Sequence, residues 1–244
     1  MKIIALDSSG LVASVALAED DNLIAEYTVQ YKKTHSQTLL PMLDEIGRMV
    51  ELDLTTVDAI AVAAGPGSFT GLRIGSATAK GLAFALGKPV IPVPTVDGLA
   101  FQMYGAKDLV CPIMDARRNQ VYTGIYEFLP DQTGRFVYDM HVIRQQCAVS
   151  FDEIAEELNR LDRSVIFLGD GVPVFRERME QVMRVPYTAA PLHRARQSAA
   201  ALASLGQLYY EQGRTVDGAA FAPEYLRLSQ AERERAQKEC EEAL

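Results

Sequence analysis

Leu6-Asp7-Ser8-Ser9 ends the first apolar run of the chain and enters a turn. An acidic side chain there can position a metal ion, and small residues after it let backbone amides and hydroxyls approach phosphate oxygens. Asp7, Ser8 and Ser9 are therefore candidates for nucleotide binding; the plainer reading is that Asp7 and Ser8 cap the turn. Asp115-Ala116-Arg117-Arg118-Asn119-Gln120 enters a second hairpin. Its two arginines can grip an anion through forked hydrogen bonds, or fill space that glycines would leave open. Gly169 and Gly171, flanking Asp170 after a buried run, either admit an adenine or merely turn the chain.

The densest local signal is Gly65-Pro66-Gly67-Ser68-Phe69-Thr70-Gly71-Leu72-Arg73-Ile74-Gly75. It is not a G-x-G-x-x-G fingerprint and lacks the Gly-Lys-Ser/Thr of a P-loop, so dinucleotide and Walker-type binding are poorly supported. It does start a row of small residues four apart, Gly71, Gly75, Ala79 and Ala83. Such a row lets another backbone come close, either the sheet of the same lobe or another subunit. His35, His141 and His193 have no partner at i+3 or i+4, which leaves no metal pair on one helix. His35 can act as a polar contact beside a helix or as a base. No G-x-S-x-G elbow is present, and Cys111, Cys147 and Cys240 lie in no nucleophile or zinc motif.

The elements that must position these residues follow from periodicity. Residues 3–6, 12–17 and 23–29 are branched apolar runs parted by Ser8-Ser9-Gly10 and Glu19-Asp20-Asp21-Asn22, an antiparallel meander. Leu39, Leu43, Ile46 and Val50 recur at helical spacing, predicting a helix over 36–50 with Pro41 in its first turns. Leu40, Met42 and Met49 widen its apolar face, as in a helix that is buried twice or carries an interface. A strand over 59–64, a helix over 69–86 and a strand over 90–93 complete a ribonuclease-H-like order. A second copy follows, with strands over 109–114, 121–128 and 136–143, a helix over 151–161, a strand over 165–168 and a helix over 172–183. The expected division is a first lobe over 1–105, a second over 106–220 and a charged, solvated tail within 221–244. The helix over 197–212 is expected to pack back on the first lobe.

The fold class is thus α/β, and 244 residues suffice for two lobes with real cores. A net charge of −8 without a basic stripe disfavours direct binding of nucleic acid. Three widely spaced cysteines suit a reducing compartment. The first residues form no signal-like segment, and no run of about 18 apolar residues exists to span a membrane. A cytoplasmic protein is expected.

Ile4-Ala5-Leu6-Asp7-Ser8-Ser9, His35-Ser36-Gln37 with Leu39-Leu40-Pro41, the block from Gly65 to Gly75, Asp115-Ala116-Arg117 and Pro223-Glu224-Tyr225-Leu226-Arg227 together resemble the TsaB (YeaZ) family over almost the whole chain. The resemblance implies the actin/Hsp70-like (ASKHA) fold of two ribonuclease-H-like lobes. It also implies a role in forming N6-threonylcarbamoyladenosine in tRNA, beside the catalytic paralogue TsaD and the ATPase TsaE. Where the paralogue carries a metal-binding His-x-x-x-His, this chain reads Thr95-Val96-Asp97-Gly98-Leu99, and neither Thr95 nor Leu99 can replace an imidazole. The expected function is therefore a non-catalytic subunit with no cofactor of its own. ATP would bind at most at the level of the complex, without turnover by this chain, and tRNA would be met only indirectly. The expected contact residues are His35, Leu39, Leu40, Met42, Leu43, Ile46, Met49, Phe69, Gly71, Leu72, Arg73, Gly75 and Ala79. The same surface is expected to make a homodimer in the free protein, and a bulky residue at Gly75 to break both assemblies. The alternatives are an ATP-dependent kinase of the same fold and a glycoprotease-like metallopeptidase.

Overall fold

The structure, a computed structural model, describes residues 1–31, 34–131 and 137–227. The opening apolar runs form β1 (Lys2–Asp7), β2 (Ala13–Glu19) and β3 (Asn22–Val29), paired antiparallel, with Ile4 opposite Leu17 and Asp7 opposite Ser14. β4 (Ala59–Gly65) adds in parallel to β1, and β5 (Val90–Pro94) to β4. The sheet order is β3-β2-β1-β4-β5.

Alternation along these strands gives the sheet two unlike faces. Ile4, Leu6, Val15, Leu17, Ile60 and Val62 point to one side, against α1 (His35–Met49) and α2 (Phe69–Leu86). Ala5, Ala16, Ala18, Ala59, Ala61 and Ala63 point to the other. That alanine face admits a close neighbour: α6 (Ala199–Glu211) crosses back onto β1, β2, β4 and β5, and a Cβ on its Gly206 would lie 3.1 Å from that of Ala61. The expected packing of this last helix on the first sheet is thus observed.

β6 (Leu109–Asp115), β7 (Gln120–Pro130), β8 (Tyr138–Ser150), β9 (Val165–Leu168) and β10 (Tyr187–Ala189) form the second sheet, in the order β10-β9-β6-β7-β8. Counted from β6 as strand one, this repeats the first sheet's order, so the duplication inferred from element order is a property of the fold. The pair is the two-lobed actin/Hsp70-like architecture. Phe151, Ile154, Ala155 and Leu158 bury one side of α4 (Phe151–Leu161), whose first turn is capped by the Ser150 hydroxyl accepting from the Glu153 amide at 3.2 Å. α5 (Gly171–Val182) packs beside it through Phe175 and Met179.

Two differences from the sequence reading bear on the site. The strand expected over 136–143 begins, among the described residues, at Tyr138 and runs to Ser150. Phe136 lies outside those residues. α3 (Thr95–Phe101) was not anticipated: its seven residues are all buried, so they show no polar–apolar period. α3 sits in a hydrophobic core shared by both sheets, where Val96, Leu99 and Phe101 meet Ile3 and Ala5 of the first and Val110, Met114 and Phe128 of the second.

Candidate functional site

Asp7 ends β1 fully buried, and its Oδ1 accepts from the Ser9 amide at 2.8 Å and the Ser9 hydroxyl at 2.6 Å. The Ser8 hydroxyl donates to the Gly71 carbonyl at 2.8 Å, and the Ser9 carbonyl accepts from the Ser68 amide at 2.7 Å. The turn-capping reading of Asp7 is therefore what the geometry displays. These bonds engage the Ser8 and Ser9 hydroxyls and the Ser9 amide, three donors that could otherwise face a phosphate. Burial pushes the Asp7 carboxyl up to about 6, against the pull of the Ser9 hydrogen bonds and of His35. Its Oδ2, His35 Nδ1 and Gln197 Nε2 are buried without a hydrogen-bond partner among the described residues. His35 sits at the start of α1, with Nε2 2.9 Å from the Gly10 carbonyl, the polar contact expected of it.

Beside this hairpin, between the lobes, lies a cleft of about 670 Å³ lined by Ser9, Gly10, His35, Gly67 and Ser68 on one side and Asp115, Ala116, Arg117, Asp170 and Arg196 on the other. Asp115 Oδ1 accepts from the Arg117 amide at 2.8 Å, and its Oδ2 from the Arg117 guanidinium at 2.9 Å. Asp170 Oδ1 accepts from the Asp115 amide at 3.0 Å, while burial pushes the Asp170 carboxyl upward. Arg196 donates to the Gly169 carbonyl at 2.5 Å. The cleft's two arginines thus already have oxygen partners. Gly169 and Gly171, the expected nucleotide contacts, press instead on β6: a Cβ at Gly171 would stand 2.9 Å from the Ile113 carbonyl oxygen. Neither lines the cleft, whereas Asp170 between them does.

At the place where the resemblance sets the paralogue's metal motif, Thr95 accepts from the Gly65 amide at 3.2 Å and Leu99 lies in the shared core. Asp97 between them takes the Tyr126 hydroxyl at 2.7 Å and the Tyr209 hydroxyl at 3.0 Å. Burial pushes the Asp97 carboxyl up, with the two tyrosine bonds opposing.

The helical face differs in phase from the sequence reading. Gly71, Leu72, Gly75 and Ala79 of α2 and Leu39, Met42, Leu43 and Ile46 of α1 are buried by the lobe itself. They form core and offer little area to a partner. The reason is the close seat of α2 on the Ser8 hairpin, where a Cβ on Gly75 would stand 2.5 Å from the Ser8 hydroxyl. A bulky residue at Gly75 therefore tests the fold rather than an interface. The outward face carries Leu40, 53% exposed, Arg73, and a second row of small residues, Ala77 and Gly81, ending at Phe84, 92% exposed, while Met49, 77% exposed, lies on the other flank of α1, half a turn round from Leu40. A Cβ on Gly81 would meet no atom within 4 Å among the described residues. A groove of about 500 Å³ between the helices is lined by Leu40, Leu43, Gly47, Leu52, Leu54 and Leu82. Phe69 closes the end of α2, its ring 4.9 Å from that of Tyr225 and beneath the Arg73 guanidinium at 3.9 Å. Ala77, Gly81 and Phe84 were missed; the readable signal was Phe84, a large apolar residue out of phase with Leu72, Ala79 and Ala83.

Comparison with known proteins agrees with this architecture. The family model described as TsaD, tRNA N6-adenosine threonylcarbamoyltransferase, matches residues 22–235. The chain is 34% identical to the tRNA threonylcarbamoyladenosine biosynthesis protein TsaB of Bacillus subtilis, over 95% of this chain and 96% of that one. It is 33% identical to the TsaB of Haemophilus influenzae, over 93% and 94%. Among solved structures, YeaZ from Pseudomonas aeruginosa superposes with a TM-score of 0.76 at 31% identity, over 92% of this chain and 99% of that chain. On a likeness of sequence and structure that runs nearly end to end, the chain belongs to the TsaB (YeaZ) family.

Proposed function

We propose that this chain serves the formation of N6-threonylcarbamoyladenosine in tRNA as a non-catalytic subunit that presents the outer face of α1 and α2 to TsaD, in a system completed by TsaE. The observation that carries this reading is the outward row of α2. Ala77 and Gly81 leave a backbone open to close approach, and Leu40 and Phe84 flank it with exposed apolar surface that the lobe does not use. Small residues at a helix crossing let two helices pack at short range, and large apolar residues around them supply the area. The cleft supports the same reading from the other side, because the Ser8 and Ser9 hydroxyls and the Ser9 amide are engaged within the lobe. In the free protein the same face pairs two copies, so homodimer and heterodimer exclude each other.

The test is to mix the purified chain with TsaD and measure mass by light scattering, with and without TsaE and ATP, while recording ATP hydrolysis by this chain alone. A one-to-one complex that replaces the homodimer, without hydrolysis by the isolated chain, is the expected result. Absence of a complex, or steady ATP turnover by the isolated chain, overturns the proposal and returns the kinase reading.

A further inference from the structure

The motif Pro223-Glu224-Tyr225-Leu226-Arg227 lines neither the cleft nor the groove between α1 and α2, and its contacts run to both lobes. Phe221, just before it, is buried in the first lobe's core. The Glu224 amide donates to the Ala64 carbonyl at 2.6 Å, and the Glu224 carbonyl occupies the space a side chain on Gly65 would need, at a φ of 113°. The Tyr225 ring packs on Phe69. From there the segment reaches the second lobe. Gln146 of β8 donates to the Glu224 carboxylate at 3.0 Å, and Arg227 donates to the Ala116 carbonyl and, at 3.3 Å, to that of Arg117.

Those two carbonyls open the turn between β6 and β7. There Arg117, Arg118 and Asn119 follow one another in the left-handed region, with φ of 63°, 55° and 60°. Three such non-glycine residues in succession persist only where their surroundings hold them. A charged, planar donor fixed on consecutive carbonyls is such a hold. Ala116 and Arg117 line one wall of the cleft, Gly67 and Ser68 the other, so the segment joins the two walls. A separate tie lies in the shared core, where Asp97 of α3 takes hydroxyls from Tyr126 of β7 and Tyr209 of α6.

We propose that residues 221–227 are an inter-lobe strap that, together with the Asp97 tie, fixes the opening of the cleft and holds its 117–119 wall. The cleft is then a rigid cavity and not one that closes on a ligand. The proposal stands whether or not the helical face binds a partner.

The full chain carrying Arg227→Met, which keeps the apolar stem and removes the donors, is compared with Tyr225→Ala and with the unaltered protein by amide hydrogen exchange. Exchange at Ala116, Arg117 and Gln120 is expected to rise about tenfold in Arg227→Met, and at Glu224 in Tyr225→Ala, with Ile60 and Val165 in the sheets unchanged. Spin labels at Glu51→Cys and Arg160→Cys, in a Cys147→Ser, Cys240→Ser background, report the lobe distance. A single narrow distribution in the unaltered chain, broadened in both variants, is expected. Exchange and distances like the unaltered protein's in both variants overturn the strap. So does a uniform rise in exchange across both sheets, which marks lost global stability instead.

Discussion

Gly75 and Gly81 stand on the same helix six residues apart and are expected to respond in opposite ways. A methyl at Gly75 would sit 2.5 Å from the Ser8 hydroxyl, which donates to the Gly71 carbonyl. Gly75→Ala must push α2 off the hairpin or break that bond, and such overpacking costs about 1–3 kcal/mol of folding stability. At Gly81 a Cβ meets no atom of the described residues within 4 Å, and the residue is exposed in mid-helix. Gly81→Ala should stabilise the monomer by about 0.5–1 kcal/mol through helix propensity alone. Gly81→Leu should likewise fold, yet its side chain fills the space a partner helix needs. An overpacked crossing costs about 1–3 kcal/mol, so association should weaken roughly fivefold to a hundredfold. Urea unfolding at two protein concentrations separates monomer stability from dimer linkage, and titration calorimetry with TsaD measures the association. Gly81→Leu that dimerises and binds TsaD within twofold of the unaltered chain would refute a close helix crossing at this face.

Phe84→Ser should leave monomer stability within about 0.5 kcal/mol, since the ring is 92% exposed, while weakening association by about 1–2 kcal/mol in the same calorimetry. Asp7→Asn should flatten the dependence of stability on pH. Burial holds the folded carboxyl at about 6 against an ordinary 3.8, so between those values the native state holds more protons than the unfolded one and stability falls as pH rises. The loss reaches at most about 3 kcal/mol by pH 7, and urea unfolding at pH 4.5 and 7 that shows the same slope in both proteins would contradict it. Tyr126→Phe leaves the buried Asp97 one donor short and should cost about 1–3 kcal/mol, read by thermal unfolding. Of the two described cysteines, Cys147 should react with a thiol reagent well before Cys111, which is buried, with its thiol pushed up to about 12.

Much of the fold is legible because its strands obey a simple rule. Ile3 to Leu6 and Val12 to Leu17 are short, branched and bounded by turns, and Leu39, Met42, Leu43 and Ile46 mark one side of a helix. What escapes is whatever long-range packing decides. α3 shows no period because the shared core covers it on every side. The Glu224 amide finds Ala64 only after the chain has crossed both lobes, and main-chain bonds leave no side-chain signature. Residues 221–227, grouped with the C-terminal tail, are tied to both lobes, while 228–244, the charged stretch expected to be solvated, lie outside the described residues. The phase of α2 is the most instructive case. Gly71, Gly75 and Ala79 form one row of small residues, and Arg73 breaks the parallel row that continues through Ala77 and Gly81. Spacing reveals that such rows exist but not which of them faces the sheet; the contact with Ser8 decides.

That contact also links the two halves of the functional argument. The Ser8 hydroxyl, expected to approach a phosphate, is instead the one that seats α2 through Gly71, and of the two serines it is Ser9 that lines the cleft. A ligand drawing on Ser8 would have to break that bond, and the glycines that permit the close seat leave the helix no side-chain packing to replace it at this point. Holding α2 in place and offering the hairpin to an anion therefore make opposing demands on one hydroxyl. With Ser8 bonded to Gly71 and Ser9 to Asp7, the hairpin holds a helix whose other side is exposed among the described residues.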